Sequence, residues 1–144
     1  MKAVILAAGV GARLKPFTDH SHKCMTEIGG RSLLARHLDM LSRLEELDGV
    51  VLVVGYLEDQ IRQTVAQWHA ETGREFPVDF ITNDAYRLGS ILSLAAANPV
   101  LLEHDAIVMD ADVLYHPEVM ARLVRSPHGN CFLMDASSGE TGEE

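Results

Sequence analysis

Glycines and cationic side chains gather directly after the first apolar run of the chain. The run ends at Ala8, and Gly9 and Gly11 follow it. Glycine lets backbone N–H groups approach a phosphate or a base without interference from a Cβ atom. Arg13 and Lys23 come next, and such side chains neutralise phosphate charge. The spacing is that of a cradle for an anionic ligand, although an ordinary strand-to-helix turn with surface cations has the same form.

The two commonest phosphate-binding signatures do not match this stretch. Leu14 stands at the third glycine position of Gly-x-Gly-x-x-Gly, and no Gly-Lys-Ser/Thr follows the glycines. The stretch is therefore neither a dinucleotide fingerprint nor a P-loop.

Two aspartates, Asp110 and Asp112, stand one residue apart at the end of another apolar run. If the strand continues through them, its alternation points both carboxylates to the same side. Hard oxygen ligands of this kind suit Mg²⁺, which also takes phosphate oxygens and water. The alternative is a strand end with two solvated acids. Because acids without a buried partner are rarely needed for folding, the pair favours a functional site.

A third polar stretch, residues 83–94, leads from a strand into a helix through Gly89 and Ser90. Ser90 is of a type that can cap that helix. Capping and turn chemistry explain this pair about as well as contact with a ligand does.

The histidines and cysteines near the first loop carry weaker signals. His20 and His22 lack further nearby ligands, which argues against a metal site between them. Cys24 lies beside Lys23, a position compatible with a reactive thiol of lowered pKa, but a small, partly buried side chain is the expected reading.

Apolar runs that alternate with amphipathic stretches predict the secondary structure. Strands are predicted at residues 3–8, 50–54, 76–81, 105–109 and 130–134, and helices at 32 to about 47, 57–68, 90–97 and 117–124. The helix at 90–97 is expected to stop at Asn98 and Pro99.

This alternation predicts an α/β fold with three α/β/α layers, Rossmann-like, around a mostly parallel sheet. Ligands of such sheets bind outside the carboxyl ends of the strands. That rule selects the loops at residues 9–23, 82–94 and 110–115.

Composition and net charge argue against several classes of function. The 144 residues are 47% apolar, fit one domain and carry a net charge of −9, which argues against broad nucleic-acid binding. No run approaches the roughly 20 apolar residues of a membrane span, so no membrane partner is expected. Cys24 and Cys131 form no disulfide framework, which favours a reducing compartment, the cytoplasm.

Together these stretches resemble the nucleotidyltransferase family that joins a nucleoside triphosphate to a phosphorylated small molecule. Its signature is close to Leu-Ala-Ala-Gly-x-Gly-x-Arg-Leu-x-Pro-x-Thr, then Pro-Lys, then Gly-x-Pro/Ser-Leu-Leu. Residues 6–18, Lys23 and residues 30–34 fill the three parts, and Asp-Ala-Asp at 110–112 is similar to the family's metal-binding strand end. Residues 83–94 look like the branch of choline-phosphate and aminoethylphosphonate cytidylyltransferases.

The resemblance implies a nucleotide-diphospho-sugar transferase-like fold over residues 1–144 and a Mg²⁺-dependent enzyme. It would transfer a nucleotidyl group, CMP from CTP, to a phosphorylated alcohol or phosphonate and release pyrophosphate. The alternatives are a sugar-1-phosphate nucleotidyltransferase, a molybdopterin-type nucleotidyltransferase, and, from another class, a noncatalytic nucleotide-binding or regulatory module.

The resemblance also implies roles for single residues. Arg13 would hold the leaving phosphates, and Lys23 would bind the α-phosphate or the incoming phosphate. Asp112 is the preferred Mg²⁺ ligand, with Asp110 as its partner. The nucleotide would be bordered by Leu6, Ala7, Ala8, Gly9, Gly11, Gly89 and Ser90.

Two features depart from the family pattern. His22 stands where the family usually has a proline before the lysine, so His22 is a candidate for substrate contact. Family members are also longer than this chain. We therefore expect an N-terminal part with little catalysis of its own, whose remaining acceptor pocket and second metal-binding aspartate lie beyond residue 144. The base, the acceptor and the oligomeric state are not determined by the sequence.

Overall fold

Four apolar runs form one parallel sheet at the centre of the protein. The computed structural model describes residues 1–134. Its elements, in chain order, are β1 (Lys2–Ala7), β2 (Glu27–Ile28), β3 (Arg31–Ser32), α1 (Leu33–Leu41), β4 (Val50–Val54), α2 (Glu58–Thr72), β5 (Val78–Thr82), α3 (Ile91–Ala96), α4 (Asn98–Glu103), β6 (Ala106–Asp110) and α5 (Pro117–Val124). The sheet has the strand order β5-β4-β1-β6, with every pair parallel. Strands β2 and β3 form a separate small antiparallel hairpin.

Helices cover both faces of the sheet, because alternate residues of each interior strand are apolar on opposite sides. On one face, Ile5 and Leu52 pack with residues of α1, α2 and α5, among them Trp68. On the other face, Val4 and Val53 pack against α3, α4 and the residue between them, Ala97. The predicted three-layer α/β/α arrangement is confirmed.

The direction in which the chain winds along the sheet reverses beside β1. The chain runs outward from β1 through β4 to β5, and then returns past them to place β6 on the other side of β1. Loops that leave neighbouring strands at such a reversal diverge and leave a crevice at the carboxyl edge of the sheet. The loops after β1 and β6 therefore face each other across the expected ligand position.

Four of the five predicted strands are confirmed to within two residues at each end. The fifth, at residues 130–134, is wrong. This segment joins no sheet, and its side chains are exposed, with Phe132 at 83%. An apolar run becomes a strand only where a neighbouring strand supplies hydrogen bonds, and among the described residues none pairs with it.

The predicted helices are present with shifted ends. Helix α1 stops at Leu41, short of residue 47, and short turns follow it. The prediction that Asn98 and Pro99 end the helical region is wrong, because α4 begins there. Proline fits the first turn of a helix, where its missing N–H has no partner to lose.

Within residues 1–134, no helix is long and apolar enough to cross a membrane. The cytoplasmic location stays a prediction.

Candidate functional site

The loop after β1 takes a shape that only glycine allows at one point. Gly11 has a φ of 65°, in the left-handed region, and a Cβ atom there would lie 3.0 Å from Cγ2 of Thr18. The Thr18 hydroxyl donates to the Gly11 carbonyl at 2.9 Å. The side chain of Thr18, which is buried, therefore closes the loop on itself and holds the turn that follows Gly9.

Residues after β4 clamp this loop from the side. Tyr56 donates its N–H to the Ala8 carbonyl at 3.1 Å and its hydroxyl to the Thr18 carbonyl at 2.9 Å. Gln60 accepts the N–H of His22 at 2.9 Å and donates its side-chain amide to the His20 carbonyl at 2.8 Å. Four loop positions, Ala8, Thr18, His20 and His22, are thus fixed by hydrogen bonds to Tyr56 and Gln60.

An ion pair joins the loops after β1 and β6 across the crevice. Lys23 Nζ lies 2.7 Å from Oδ2 of Asp112, and the two side chains are 21% and 34% exposed. A Cβ atom on Gly9 would lie 3.9 Å from Cε of Lys23, so the lysine stem runs beside the glycine loop. The structure therefore brings together Gly9, Lys23 and Asp112, which are separated in the sequence.

The aspartates occupy different kinds of position. Strand β6 ends at Asp110, and the N–H of Ala111 makes the last bond to β1, at 3.3 Å to the Leu6 carbonyl. Asp112 lies in the turn beyond, so the premise that the strand continues through both acids is wrong. Their metal-binding role stays a prediction.

Two buried or half-buried aromatic residues hold the loop that carries the aspartates. His37 on α1 donates from Nε2 to the Val113 carbonyl at 2.8 Å, and burial lowers the pKa of its ring. The Tyr115 hydroxyl accepts the N–H of Asp110 at 3.2 Å, and the His37 and Tyr115 ring centroids lie 5.7 Å apart.

His22 is a buried neutral histidine in the loop after β1. Its side chain is 1% exposed, and Nδ1 accepts the N–H of Cys24 at 3.2 Å, which assigns the ring proton to Nε2. Burial and the neighbouring charge of Lys23 lower the pKa of His22 to about 4. Within the described residues, no group of three or more histidine, cysteine, aspartate or glutamate side chains is placed to hold a metal ion.

Cys24 is fully buried, and burial raises its thiol pKa to about 12. The expectation of a small buried side chain therefore agrees with the structure and the reactive-thiol alternative does not, since a buried thiol stays protonated and inert.

Arg13, Gly89 and Ser90 lie at the exposed rim. Arg13 sits in a single 3-10 turn, Ala12–Leu14, directly after the glycine loop. Gly89 has a φ of 132°, and apart from its two chain neighbours no described residue has a heavy atom within 4 Å of its Cβ position. The side chain of Ser90 does not cap the helix, so the capping alternative is not borne out: only its backbone carbonyl bonds to α3, at 3.0 Å from the N–H of Ser93.

Tyr86 connects this rim to the centre of the site. It packs so closely on Gly55 that a Cβ atom there would lie 2.9 Å from Cδ1 of Tyr86. The rings of Tyr86 and Tyr56 are 6.4 Å apart. The rim loop thus rests on the same residue that clamps the glycine loop.

The sequence interpretation missed four supporting residues, Tyr56, Gln60, His37 and Tyr115. It included Thr18 in the family signature but assigned it no role. Tyr56 had a usable signal, because it follows β4 at the carboxyl edge of the sheet, where ligands of such folds bind. His37 had none, since a histidine within an amphipathic helix does not reveal which loop it meets.

The thiols give a direct test of burial in this region. With the thiol reagent DTNB at pH 8, we expect fast reaction at exposed Cys131 and none at Cys24 until the protein unfolds. In Cys131→Ser the fast phase should disappear. Two fast thiols in the native protein would contradict the buried position of Cys24.

The neutral state of His22 predicts a pH-dependent stability. Its pKa is lowered from 6.5 to about 4 by folding, so the unfolded chain binds more protons between these values. The free energy of unfolding should therefore fall as the pH drops from 6.5 toward 4, by up to about 3 kcal/mol. His37 adds in the same direction.

Urea denaturation at a series of pH values measures this slope. In His22→Asn, whose side-chain oxygen can still accept the Cys24 N–H, the slope should be shallower than in the wild type. His104→Asn, at an exposed histidine, serves as the control and should keep the wild-type slope. Equal slopes in all three proteins would show that His22 is not held neutral.

Known proteins match the chain in sequence and in fold. The choline-phosphate cytidylyltransferase of Haemophilus influenzae is 33% identical over 133 residues, which are 92% of this chain and 52% of that protein. The CMP-5'-(3-aminopropyl)phosphonate synthase of Streptomyces rubellomurinus is 30% identical over 90% of this chain and 20% of its own length. Further matching relatives are named as UTP–glucose-1-phosphate uridylyltransferase and mannose-1-phosphate guanyltransferase.

Among solved structures, the CTP:phosphocholine cytidylyltransferase from Streptococcus pneumoniae aligns with a TM-score of 0.64 and 28% identity. The alignment covers 77% of this chain and 44% of that one. The chain thus spans about half the length of the H. influenzae relative and less of this neighbour. The predicted nucleotide-diphospho-sugar transferase-like fold is confirmed.

The family model of the MobA-like NTP transferase domain matches residues 3–143. Its match runs through the glycine loop, Lys23 and both aspartates, the groups that the fold assembles at one crevice. The resemblance stated from the motifs is confirmed, and the chain belongs to the MobA-like NTP transferase family of nucleotidyltransferases.

Proposed function

We propose that this chain forms the nucleotide-binding part of a Mg²⁺-dependent cytidylyltransferase, which transfers CMP from CTP to a phosphorylated alcohol or phosphonate. The observation that carries the proposal is the contact of Lys23 with Asp112 beside Gly9, where the strand order reverses. This contact brings a cation and a carboxylate into one crevice, and under the proposal the cation binds phosphate and the carboxylate binds the metal. The names of the cytidylyltransferase relatives support CTP as the nucleotide.

In the proposed reaction, an oxygen of the acceptor's phosphate or phosphonate attacks the α-phosphorus of CTP. The bond between the α-phosphorus and the bridging oxygen breaks, and pyrophosphate leaves with the electron pair. The reaction needs no covalent enzyme intermediate, so catalysis consists of positioning and charge stabilisation.

Under this proposal, different residues of the chain position the nucleotide and stabilise its charge. The backbone of the loop from Ala8 to Gly11 approaches the nucleotide, and Gly89 and Ser90 border the base. Lys23 stabilises charge on the α-phosphate, and Arg13 holds the β- and γ-phosphates that leave.

The carboxylates fit a magnesium ion. Within residues 1–134, Asp110 has no ion-pair partner, and Asp112 shares one oxygen with Lys23 while part of its side chain stays exposed. Two carboxylates at a solvent-open edge match the preference of Mg²⁺ for one or two carboxylates together with substrate phosphates. When bound, the ion would neutralise charge on the triphosphate. Asp112 and Asp110 are proposed to hold it.

A sugar-1-phosphate nucleotidyltransferase is the second candidate. It is favoured by the relatives that act on glucose 1-phosphate and mannose 1-phosphate. Both candidates place a nucleoside triphosphate at the same crevice, and they differ in the base and the acceptor.

Calorimetric titration of the chain with CTP, UTP, GTP and ATP in the presence of Mg²⁺ separates the candidates. We expect CTP to bind at least about tenfold more tightly than the others, a difference of about 1.4 kcal/mol. Pyrophosphate release is measured in parallel with phosphocholine, 2-aminoethylphosphonate and glucose 1-phosphate. Preference for UTP or GTP would favour the second candidate, and no binding of any nucleotide would contradict both.

The cations of the loop after β1 provide matched variants. Lys23→Met and Arg13→Met should each weaken CTP binding by about 10- to 100-fold, because each removes a charge-assisted hydrogen bond to phosphate. Lys15→Met is the control, since Lys15 lies in the same loop but pairs with Asp19 at 3.3 Å. It should bind CTP within about twofold of the wild type. Equal losses in all three variants would indicate general charge attraction instead of specific phosphate contacts.

A further inference from the structure

The loop that carries Asp112 needs support from outside the sheet. Hydrogen bonding between β6 and β1 ends with the N–H of Ala111, one residue before Asp112. Lys23 holds the carboxylate itself at 2.7 Å. Under the proposed function, however, Lys23 must turn to a phosphate, so the backbone of the loop has to be held by other residues.

His37 supplies that support from helix α1. Its Nε2 donates to the Val113 carbonyl at 2.8 Å, directly after Asp112 in the chain. Its ring also contacts the ring of Tyr115, whose hydroxyl accepts the N–H of Asp110 at 3.2 Å. The two aromatic residues therefore fix the backbone on both sides of Asp112.

Helix α1 is a firm base for this contact. Leu34, Leu38 and Leu41 are fully buried on it, and they belong to the larger of the two apolar cores. His37 itself is 1% exposed, so its ring has little freedom to move. The hydrogen bond from this side chain therefore fixes the loop relative to the helix.

Packing alone does not explain a histidine here. Its Nδ1 is buried and makes no hydrogen bond with any described residue. A buried acceptor without a partner lowers stability, and an apolar side chain would avoid that cost. The polar ring brings one clear gain, which is the bond to the Val113 carbonyl.

We infer that His37 is a positioning residue, which holds the Asp110–Val113 backbone so that Asp112 is placed to bind a divalent cation. The part of the inference that concerns the cation rests on the proposed function. The part that concerns the hold of His37 on the loop does not. His37 touches neither nucleotide nor metal, and it acts through the Val113 carbonyl.

Hydrogen–deuterium exchange tests the structural part without any ligand. In His37→Leu, which removes the donor, the amides of residues 110–115 should exchange at least about tenfold faster, while those of β4 keep their rates. His37→Gln should restore slow exchange to within about threefold, because its side-chain nitrogen reaches a place close to Nε2 of histidine. Leu38→Ala, a core variant on the same helix, should speed exchange across the sheet instead.

Binding of Mn²⁺ in the presence of CTP, followed by electron paramagnetic resonance, tests the consequence. His37→Leu should weaken Mn²⁺ binding at least about fivefold and leave CTP binding without metal unchanged, and His37→Gln should recover most of the loss. A merely structural role would weaken both together.

The outcomes are distinct. Unchanged exchange at 110–115 in His37→Leu would overturn the inference whatever the protein binds, and so would faster exchange with unaltered Mn²⁺ affinity. If the wild type binds neither CTP nor Mn²⁺, the proposed function and the cation-placing role fail together. Faster exchange at residues 110–115 in His37→Leu would then show only that His37 holds the loop in place.

Discussion

The contact between Lys23 and Asp112 is the interaction around which the site is organised. The two residues are 89 positions apart in the chain and 2.7 Å apart in the fold. A half-buried pair of opposite charges stays together only when both backbones are held, because each side chain loses conformational freedom and each charge loses water. The hydrogen bonds of Thr18, Tyr56 and His37 provide that hold.

The sheet topology explains why this pair can form. Because β1 and β6 are parallel neighbours, their carboxyl ends emerge at the same edge, and the reversal of winding sends their loops apart. The glycine loop stays open between them, since Gly9 carries no side chain to fill the space beside Lys23. The ion pair of Lys23 and Asp112 lies where the proposed triphosphate and cation would bind.

Prediction from the sequence succeeded where burial on both faces dictates residue type. The runs at β1 and β4 are continuously apolar because each lies between two neighbouring strands and two layers of helix. Prediction failed where the local structure depends on a second segment of the chain or on exact side-chain geometry. Residues 130–134 have the composition of a strand but pair with none within the described part of the chain, and Ser90 has the type of a cap but not its geometry. Asp112 lies beside Lys23, but the strand alternation used to orient it does not reach it, and its role as a metal ligand stays a prediction.

The class of fold, the three loops at the carboxyl edge and the family can be read from residue order, since glycine, lysine and aspartate at these spacings form a multi-part signature. Those features are local, and local chemistry can be read from residue type and order. Three contacts become visible only in the folded protein: Lys23 with Asp112, Tyr56 with the glycine loop, and His37 with the Val113 carbonyl. Contacts between residues that are dozens of positions apart depend on strand order and helix orientation. These arise from packing of the whole core, so no single stretch of the sequence predicts them.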